Sequence, residues 1–188
     1  MRILGIDTGL ADTGYGIIDA DGGAFSVVEA GVISTAAEQS LSARLSRIHD
    51  ALSDIMDEFG PDRVVVEDLY AEYPHPRTAI MMGHARGVII LAAAQRAVRV
   101  ESYPASLVKK SLTGNGRASK EQVRRMVVRT LALAEDVGPD HVSDALALAI
   151  CHASPARTRP VPGARRRGGG QLPEAVVRAM DRARDGEE

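Results

Sequence analysis

The chain has 188 residues, 45% of them apolar, which is enough to build one globular domain around a sizeable core. Its only cysteine, Cys151, excludes an intramolecular disulfide and a cysteine zinc site, and it fits a reducing cytoplasm. We expect no signal peptide, because no basic region precedes a long apolar run. The most apolar segment, about residues 88–94, is too short to span a bilayer.

The net charge of −2 conceals a strong asymmetry along the chain. Residues 1–60 carry three basic and ten acidic side chains, whereas residues 77–130 carry eleven basic and two acidic ones. A solvated helix face would account for part of this surplus. Nine net positive charges in 54 residues more often mark a surface that binds a polyanion such as nucleic acid.

The first third of the chain predicts three strands, at residues 2–7, 14–19 and about 26–33. Turn residues at Asp21-Gly22-Gly23 favour an antiparallel meander. Asp7 ends the first strand, directly before the turn signal Thr8-Gly9. Its carboxylate either caps the strand in an Asx-turn or lies near the core, where it needs a hydrogen-bond network, a cation or a metal.

A helix and a fourth strand follow. Apolar residues spaced by three and four from Leu41 to Phe59 predict an amphipathic helix, which Gly60-Pro61 ends. The β-branched run in residues 63–67 predicts a central strand, and a strand after a helix usually lies parallel to an earlier one. Pairing with the first strand would put Glu67 beside Asp7, at the sheet edge where α/β proteins bind ligands.

The basic middle of the chain predicts a long helix over residues 77–97 and a fifth strand at 98–100. Small residues recur every four positions at Ala79, Gly83 and Gly87. This stripe indicates either close packing of the helix on the sheet or a subunit interface.

Two short helices and a longer one complete the predicted domain. The first runs from Pro104 to about Leu112, and a capping box at residues 119–122 opens the second. The last runs from about His141 to Cys151, with Asp140 as its N-cap. His141 and Asp144 are three apart and share one face of its first turn.

Four side chains on three separated elements can therefore meet at one sheet edge: Asp7, Glu67, His141 and Asp144. Carboxylates held together repel each other unless metal ions bind them. Oxygen ligands with one imidazole favour Mg²⁺ or Mn²⁺. Two such ions about 3.5–4 Å apart activate a water and stabilise the leaving oxygen during phosphodiester hydrolysis. The basic surplus would hold the phosphates.

These stretches together resemble the RuvC-type Holliday junction resolvases, members of the ribonuclease H-like superfamily. The resemblance spans residues 1 to about 152 in family order. The matching stretches are Leu4-Gly5-Ile6-Asp7-Thr8-Gly9, Val66-Glu67 with Tyr70 shortly after, Gly83-His84-Ala85-Arg86-Gly87-Val88, Val108-Lys109-Lys110, Gly114-Asn115-Gly116, Lys120-Glu121-Gln122-Val123 and Asp144-Ala145-Leu146-Ala147-Leu148-Ala149-Ile150.

The resemblance implies an α/β fold of ribonuclease H type, with a five-stranded mixed sheet flanked by helices. It implies a cytoplasmic homodimer that binds four-way junction DNA and nicks two strands symmetrically in recombination and repair. It also implies two Mg²⁺ per active site, with Mn²⁺ as a substitute, and a branch-migration complex of the RuvA and RuvB type as partner. No membrane is involved.

The family's catalytic acids fall on Asp7, Glu67 and Asp144, and the fourth position falls on His141. All four are expected to ligate metal, although His141 is equally suited to shuttling a proton. Thr8 stands where a proline is common in the family.

The resemblance also assigns a DNA-binding set: Tyr70, Lys109, Lys110, Arg117 and Lys120. Tyr70 matches an aromatic residue that stacks on bases near the crossover, with a partly buried tyrosine as the alternative interpretation. Lys109 and Lys120 match basic positions near the scissile phosphate. Solvated surface lysines are the alternative, which the basic surplus disfavours.

Two other functions fit parts of the sequence. An aspartate and glycine after a first strand also open actin-like phosphotransferases, but that fold needs a second related domain. A catalytically inactive junction-binding protein would not need the complete acidic set.

The composition changes after Ser154, which predicts a nuclease domain at 1–154 and a flexible basic tail at 155–188. The tail is either a disordered solubilising extension or an auxiliary contact with nucleic acid or a partner.

Overall fold

The computed structural model of the protein describes residues 1–69, 76–134 and 138–154. The strands are β1 (Arg2–Asp7), β2 (Asp12–Asp21), β3 (Ala24–Ser34), β4 (Arg63–Glu67) and β5 (Arg99–Tyr103). The helices are α1 (Leu41–Phe59), α2 (Pro76–Gln95), α3 (Ala105–Thr113), α4 (Lys120–Thr130) and α5 (Asp140–Ala153). The predicted order of elements is confirmed.

The strands form one mixed sheet in the order β3-β2-β1-β4-β5. The first three strands are antiparallel, and β4 lies parallel to both β1 and β5. The β1–β4 register runs from Ile3 opposite Arg63 to Ile6 opposite Val66. One residue further along this register, Asp7 comes beside Glu67.

Helices cover both faces of the sheet, and side-chain alternation decides which residues face which helices. Ile3 and Val65 pack with α3, α4 and α5 in one core. Ile6, Val64 and Val66 pack with α1 and α2 in the other. All three valines of β4 are fully buried, as predicted for a central strand.

Helix α5 lies against β1 and β2 at strand positions that lack side chains. A Cβ atom on Gly5 would overlap the Ala145 carbonyl, and one on Gly14 would overlap the carbonyl of His141. Gly16 pairs directly with Gly5 in the β1–β2 register. These glycines let the α5 backbone approach the sheet closely.

The buried face of α2 does not include Gly83 and Gly87 of the small-residue stripe. Ala85, Ile89, Ala92 and Ala93 are its fully buried residues. The space where Cβ atoms of Gly83 and Gly87 would lie is open. The prediction that the small-residue stripe packs on the sheet is therefore wrong. The alternative, that the stripe forms a subunit interface, stays a prediction.

The α2 residues Arg77–Gln95 are long and apolar enough to cross a membrane by length and composition alone. The prediction that the apolar segment is too short to span a bilayer applies to residues 88–94 and does not hold for the whole of α2. The core helix of a soluble protein can meet the same criterion, but such a helix is mostly buried, and only 22% of this stretch of α2 is.

Two predicted helix boundaries are confirmed, and one is wrong. Gly60 ends α1 in a left-handed conformation with φ 55°. Ser119 and Gln122 form the predicted capping box at α4. Asp140 is not the N-cap of α5: that position is Pro139, and Arg124 donates to the Asp140 carboxylate at 3.0 Å.

The glycine contacts under α5 predict different costs for two similar substitutions. Gly5→Ala should destabilise the fold by about 3 kcal/mol, because its Cβ meets immovable backbone of α5. Gly16→Ala is the matched comparison and should cost less, since its Cβ would meet side-chain atoms of Leu146, Cδ2 at 2.6 Å and Cγ at 2.7 Å, rather than a backbone carbonyl. Urea denaturation measures both free energies of unfolding, and equal losses would contradict this account.

Candidate active site

Asp7 and Glu67 end adjacent parallel strands and lie on the α5 face of the sheet. Asp7 has the same side-chain parity as Ile3 in β1, and Glu67 has that of Val65 in β4. The strand pairing that the valine run favours therefore brings these two acids together at the carboxyl edge of the sheet.

The first turn of α5 adds His141 and Asp144. Because Gly5 and Gly14 admit the helix backbone, His141 reaches the end of β1. Its Nδ1 lies 2.7 Å from Oδ2 of Asp7. An ionised carboxylate only accepts hydrogen bonds, so Nδ1 carries the proton in this contact.

The four predicted site residues line one cleft of about 560 Å³. Lys109 from α3 and Lys120 from α4 line the same cleft. The remaining lining includes Thr8 to Ala11, which form the loop between β1 and β2, and Asp12, the first residue of β2. Acidic residues and basic residues thus face a common space that is open to solvent.

Burial dominates the titration of the two strand acids. It raises the pKa of Asp7, which the hydrogen bond with His141 opposes and the charge of Asp144 reinforces. Burial also raises the pKa of Glu67, and the charges of Asp7 and Asp144 act in the same direction. The charges of Lys109 and Lys120 lower it by less.

Lys120 is already paired within the cleft. Its Nζ donates to Oδ2 of Asp144 at 3.2 Å, and the Asp144 charge raises the pKa of Lys120. The lysine side chain is 71% exposed, so this ion pair is worth little stability and is easily exchanged.

The loop between β1 and β2 is held from two sides. Thr13 Oγ1 donates to the Gly9 carbonyl at 2.5 Å, and Thr35 Oγ1 donates to that of Leu10 at 2.6 Å. Arg44 of α1 donates in turn to Thr35 Oγ1 at 2.8 Å. These bonds fix the loop that follows Asp7.

The donor set fits divalent metal ions in kind. Carboxylate oxygens with one imidazole favour Mg²⁺ or Mn²⁺, and a cation would stabilise the buried charges of Asp7 and Glu67. The hydroxyl of Thr8 is also buried, with no hydrogen-bond partner among the described residues. The donor types are those of the predicted metal site, and the ligand set itself stays a prediction.

The side chains are not gathered around a single point. Within residues 1–69, 76–134 and 138–154, no three carboxylate, histidine or cysteine side chains are close enough to hold one ion. Asp7 contacts His141, and Asp144 contacts Lys120. Binding of metal would therefore require these side chains to move closer together, with Asp144 released from Lys120.

Two residues of the predicted DNA-binding set lie elsewhere. Lys110 and Arg117 are exposed and do not line the cleft. Tyr70 lies outside the described residues, so its stacking role stays a prediction.

Sequence reasoning assigned no role to Arg86, which is close to the site. Its Nε donates to the Glu67 carbonyl at 3.3 Å, and its Nη2 donates to Ser102 Oγ at 2.6 Å. The only signal in the sequence was a charged residue within the apolar helix that matches a family motif.

The fold and the site define a class. A mixed five-stranded sheet with acids at the ends of two adjacent parallel strands, completed by an acid of the last helix, is the arrangement of a ribonuclease H-like nuclease. Comparisons with known proteins identify the family within this class.

The sequence profile of the family described as crossover junction endodeoxyribonuclease RuvC matches residues 3–152. The protein of that name from Rhodopirellula baltica is 46% identical over 149 residues, which are 79% of this chain and 84% of the relative. The one from Alkaliphilus oremlandii is 44% identical over 153 residues, which are 81% and 93% of the two chains.

A solved structure agrees with the sequence comparison. It is described as Thermus thermophilus RuvC in complex with Holliday junction substrate, and it aligns with a TM-score of 0.79 at 34% identity. The alignment covers 84% of this chain and 95% of that one. The chain belongs to the crossover junction endodeoxyribonuclease RuvC family, whose members are DNA-hydrolysing nucleases.

The raised pKa of Glu67 predicts how stability depends on pH without metal. Glu67→Gln should be more stable than the parent at pH 8, because it removes a carboxylate that is buried beside two others. A raised folded-state pKa means that the parent loses stability as pH rises through that pKa. The difference should vanish below about pH 4, where an unfolded glutamate is also protonated.

Thermal denaturation of both proteins between pH 4 and pH 8 measures this effect. Glu38→Gln, at an exposed position before α1, is the control and should change little. Added Mg²⁺ should stabilise the parent more than the Glu67 variant. Equal stability of the parent and Glu67→Gln at pH 8 would contradict the assigned burial cost.

Proposed function

We propose that the protein resolves four-way DNA junctions by metal-dependent hydrolysis of one phosphodiester in each of two strands. The observation that carries this proposal is the cleft in which Asp7, Glu67, His141 and Asp144 lie with Lys109 and Lys120. Family membership supports it, as does the junction complex of the Thermus thermophilus relative.

We propose two Mg²⁺ ions per active site, with Mn²⁺ as a substitute, held by Asp7, Glu67, Asp144 and His141. Dependence on divalent metal is general in this family. Metal held there would supply activation of the attacking water and stabilisation of the leaving oxygen. The raised pKa values of Asp7 and Glu67 make protons compete with metal, so metal affinity should fall as the solution becomes more acidic.

His141 acts through its second ring nitrogen in this proposal. Nδ1 donates to Asp7, which leaves Nε2 as the nitrogen with a free lone pair. Nε2 is then the atom that ligates metal or accepts a proton from the attacking water. Both predicted roles of His141 therefore fall on the same atom.

The lysines bind the scissile phosphate. Lys109 and Lys120 supply positive charge on the cleft wall, where the acids alone would repel DNA. Lys120 exchanges Asp144 for a phosphate oxygen at little cost, since the present pair is exposed. Lys110 and Arg117, exposed outside the cleft, would contact the DNA backbone further away, and Tyr70 would stack on a base at the opened crossover.

The other two interpretations have less support. A catalytically inactive junction-binding protein has no use for four ligand-type side chains in one cleft. An actin-like phosphotransferase would need a second related domain, and the family match covers residues 3–152 as a nuclease.

Cleavage of a synthetic junction tests the function. With Mg²⁺, the protein should place paired nicks in a four-way junction and leave linear duplex of the same sequence uncut. Asp7→Asn should slow this cleavage by about 10³-fold or more, because several kcal/mol of transition-state stabilisation are lost.

Junction affinity in EDTA should stay near that of the parent, since Asp7 contacts no phosphate without metal. Asp19→Asn is the matched control, because Asp19 pairs with Arg2 away from the cleft. Cleavage by Asp7→Asn at the parental rate would exclude the metal assignment. Cleavage of linear duplex at the junction rate would exclude the junction-specific function.

We also propose that the protein is a homodimer that pairs through α2. Ile80, Gly83, Gly87 and Leu91 form one exposed stripe of this helix, here called the α2 stripe. Ile80 is 57% exposed and Leu91 is 52% exposed, which is costly for large apolar side chains in water. Small residues between them would let a second copy approach closely, and a dimer would present two active sites to one junction.

Leu91→Arg should convert the dimer to a monomer, because a two-fold interface brings both new charges into one apolar contact. Sedimentation equilibrium gives the mass, and circular dichroism checks that the fold is kept. Ser26→Arg, an exposed position on edge strand β3, is the control and should stay dimeric. A monomeric parent, or a dimeric Leu91 variant, would reject the α2 stripe as the interface.

We propose a cytoplasmic setting without membrane attachment and a branch-migration complex of the RuvA and RuvB type as partner. The support is family membership and the shared junction substrate. The proposed division into a nuclease domain at 1–154 and a basic tail at 155–188 rests on composition, because the tail lies outside the described residues.

A further inference from the structure

Arg86 is a cation within α2 whose side chain is only 20% exposed. Its Nη2 donates to Ser102 Oγ at 2.6 Å, and its Nε donates to the Glu67 carbonyl at 3.3 Å. Nη2 also lies 3.7 Å from Oδ1 of Asp68. One guanidinium thus contacts the ends of both β4 and β5.

These contacts reach Glu67 from the face opposite to its carboxylate. The even-numbered residues Val64 and Val66 pack with α2, whereas Glu67 shares the α5 face with Val65. Arg86 comes from α2 and holds the backbone of Glu67. The carboxylate itself is left to point into the cleft, which Glu67 lines.

The strand end that Arg86 holds is also paired with β5. The amide of Asp68 donates to the carbonyl of Tyr103 at 2.9 Å, which continues the β4–β5 pairing one residue past Glu67. Arg86 therefore anchors the last strand residues from which the Glu67 carboxylate projects.

The charge of Arg86 lies beside Asp68 rather than beside the Glu67 carboxylate. The charges that shift the pKa of Glu67 belong to Asp7, Asp144, Lys109 and Lys120. Arg86 is also absent from the residues that line the cleft. Its contacts with two strand ends therefore point to a geometric role.

We infer that Arg86 is a positioning residue, which sets the Glu67 carboxylate for metal by holding the ends of β4 and β5 in register. This inference rests on the proposed role of Glu67 as a metal ligand. Only a planar guanidinium has the separate donors that this geometry needs, since an ammonium is a single point of charge. Partners that orient a metal ligand typically change metal affinity or activity by about 10–100-fold when removed.

Arg86→Lys tests the inference because it keeps the positive charge and loses the separate Nε and Nη2 donors of the guanidinium. We expect the affinity for Mn²⁺ alone, measured by electron paramagnetic resonance without DNA, to fall by about 10-fold or more. We expect kcat on a four-way junction to fall with it, while KM and junction affinity in EDTA stay at parental values. Ser102→Ala removes one of the acceptors and should give a smaller loss in the same direction.

Arg96→Lys is the matched control. Arg96 follows α2, and its Nε and Nη2 donate to the two carboxylate oxygens of Asp57 at 2.7 and 2.6 Å. The lysine substitution therefore removes a comparable pair of donors away from the cleft. Its substitution should leave Mn²⁺ affinity and kcat unchanged. If Arg86→Lys lowers the melting temperature but keeps the parental Mn²⁺ affinity and kcat, Arg86 contributes to stability only. That result would overturn the inference.

Two further outcomes would also overturn it. A raised KM and weaker junction binding at unchanged Mn²⁺ affinity would make Arg86 a DNA contact. Parental behaviour of Arg86→Lys in every measurement would show that the two guanidinium donors are not needed to position Glu67. Glu67→Gln, tested in parallel, separates the two hypotheses: parental Mn²⁺ affinity and cleavage in that variant would refute the proposed role of Glu67 itself.

Discussion

The close approach of α5 to the sheet is the constraint on which the rest of this site depends. Gly5 and Gly14 leave no side chain between the strands and the carbonyls of Ala145 and His141. A helix held further away by ordinary side chains would carry His141 beyond hydrogen-bonding distance of Asp7. The close contact between α5 and the sheet therefore lies directly next to the active-site side chains. A change in that contact would also change the geometry of the site.

The two faces of the sheet contribute differently to the site. The α5 face carries the reactive groups, since Asp7 and Glu67 alternate with core residues that pack on α3, α4 and α5. The α1 and α2 face supplies support, through Arg44 to the β1–β2 loop and through Arg86 to the ends of β4 and β5. Acids that repel each other are thus held by a scaffold whose contacts lie behind them.

Much of this arrangement follows from local sequence pattern. The valine run of β4 predicted a central parallel strand, and strand parity then placed Glu67 beside Asp7. The pattern failed for α2, where apolar and small residues occur around the whole helix and only tertiary contacts decide that Ala85 and Ile89 are buried. It failed for Asp140 because Arg124, sixteen residues earlier, takes its carboxylate. The contacts of α5 with Gly5 and of Arg86 with Glu67 join distant segments, which spacing along the chain does not reveal.

The two-residue repeat of β1 also limits how this chain can change over evolutionary time. Deleting one residue between Gly5 and Asp7 would shift the parity of Asp7 and turn its carboxylate toward α1 and α2. A substitution in β1 alters one contact, whereas a single insertion or deletion exchanges core and active-site positions along the strand. Length variation in descendants of this sequence should therefore concentrate in connections such as the β2–β3 turn, where the sites of Gly22 and Gly23 are open to solvent.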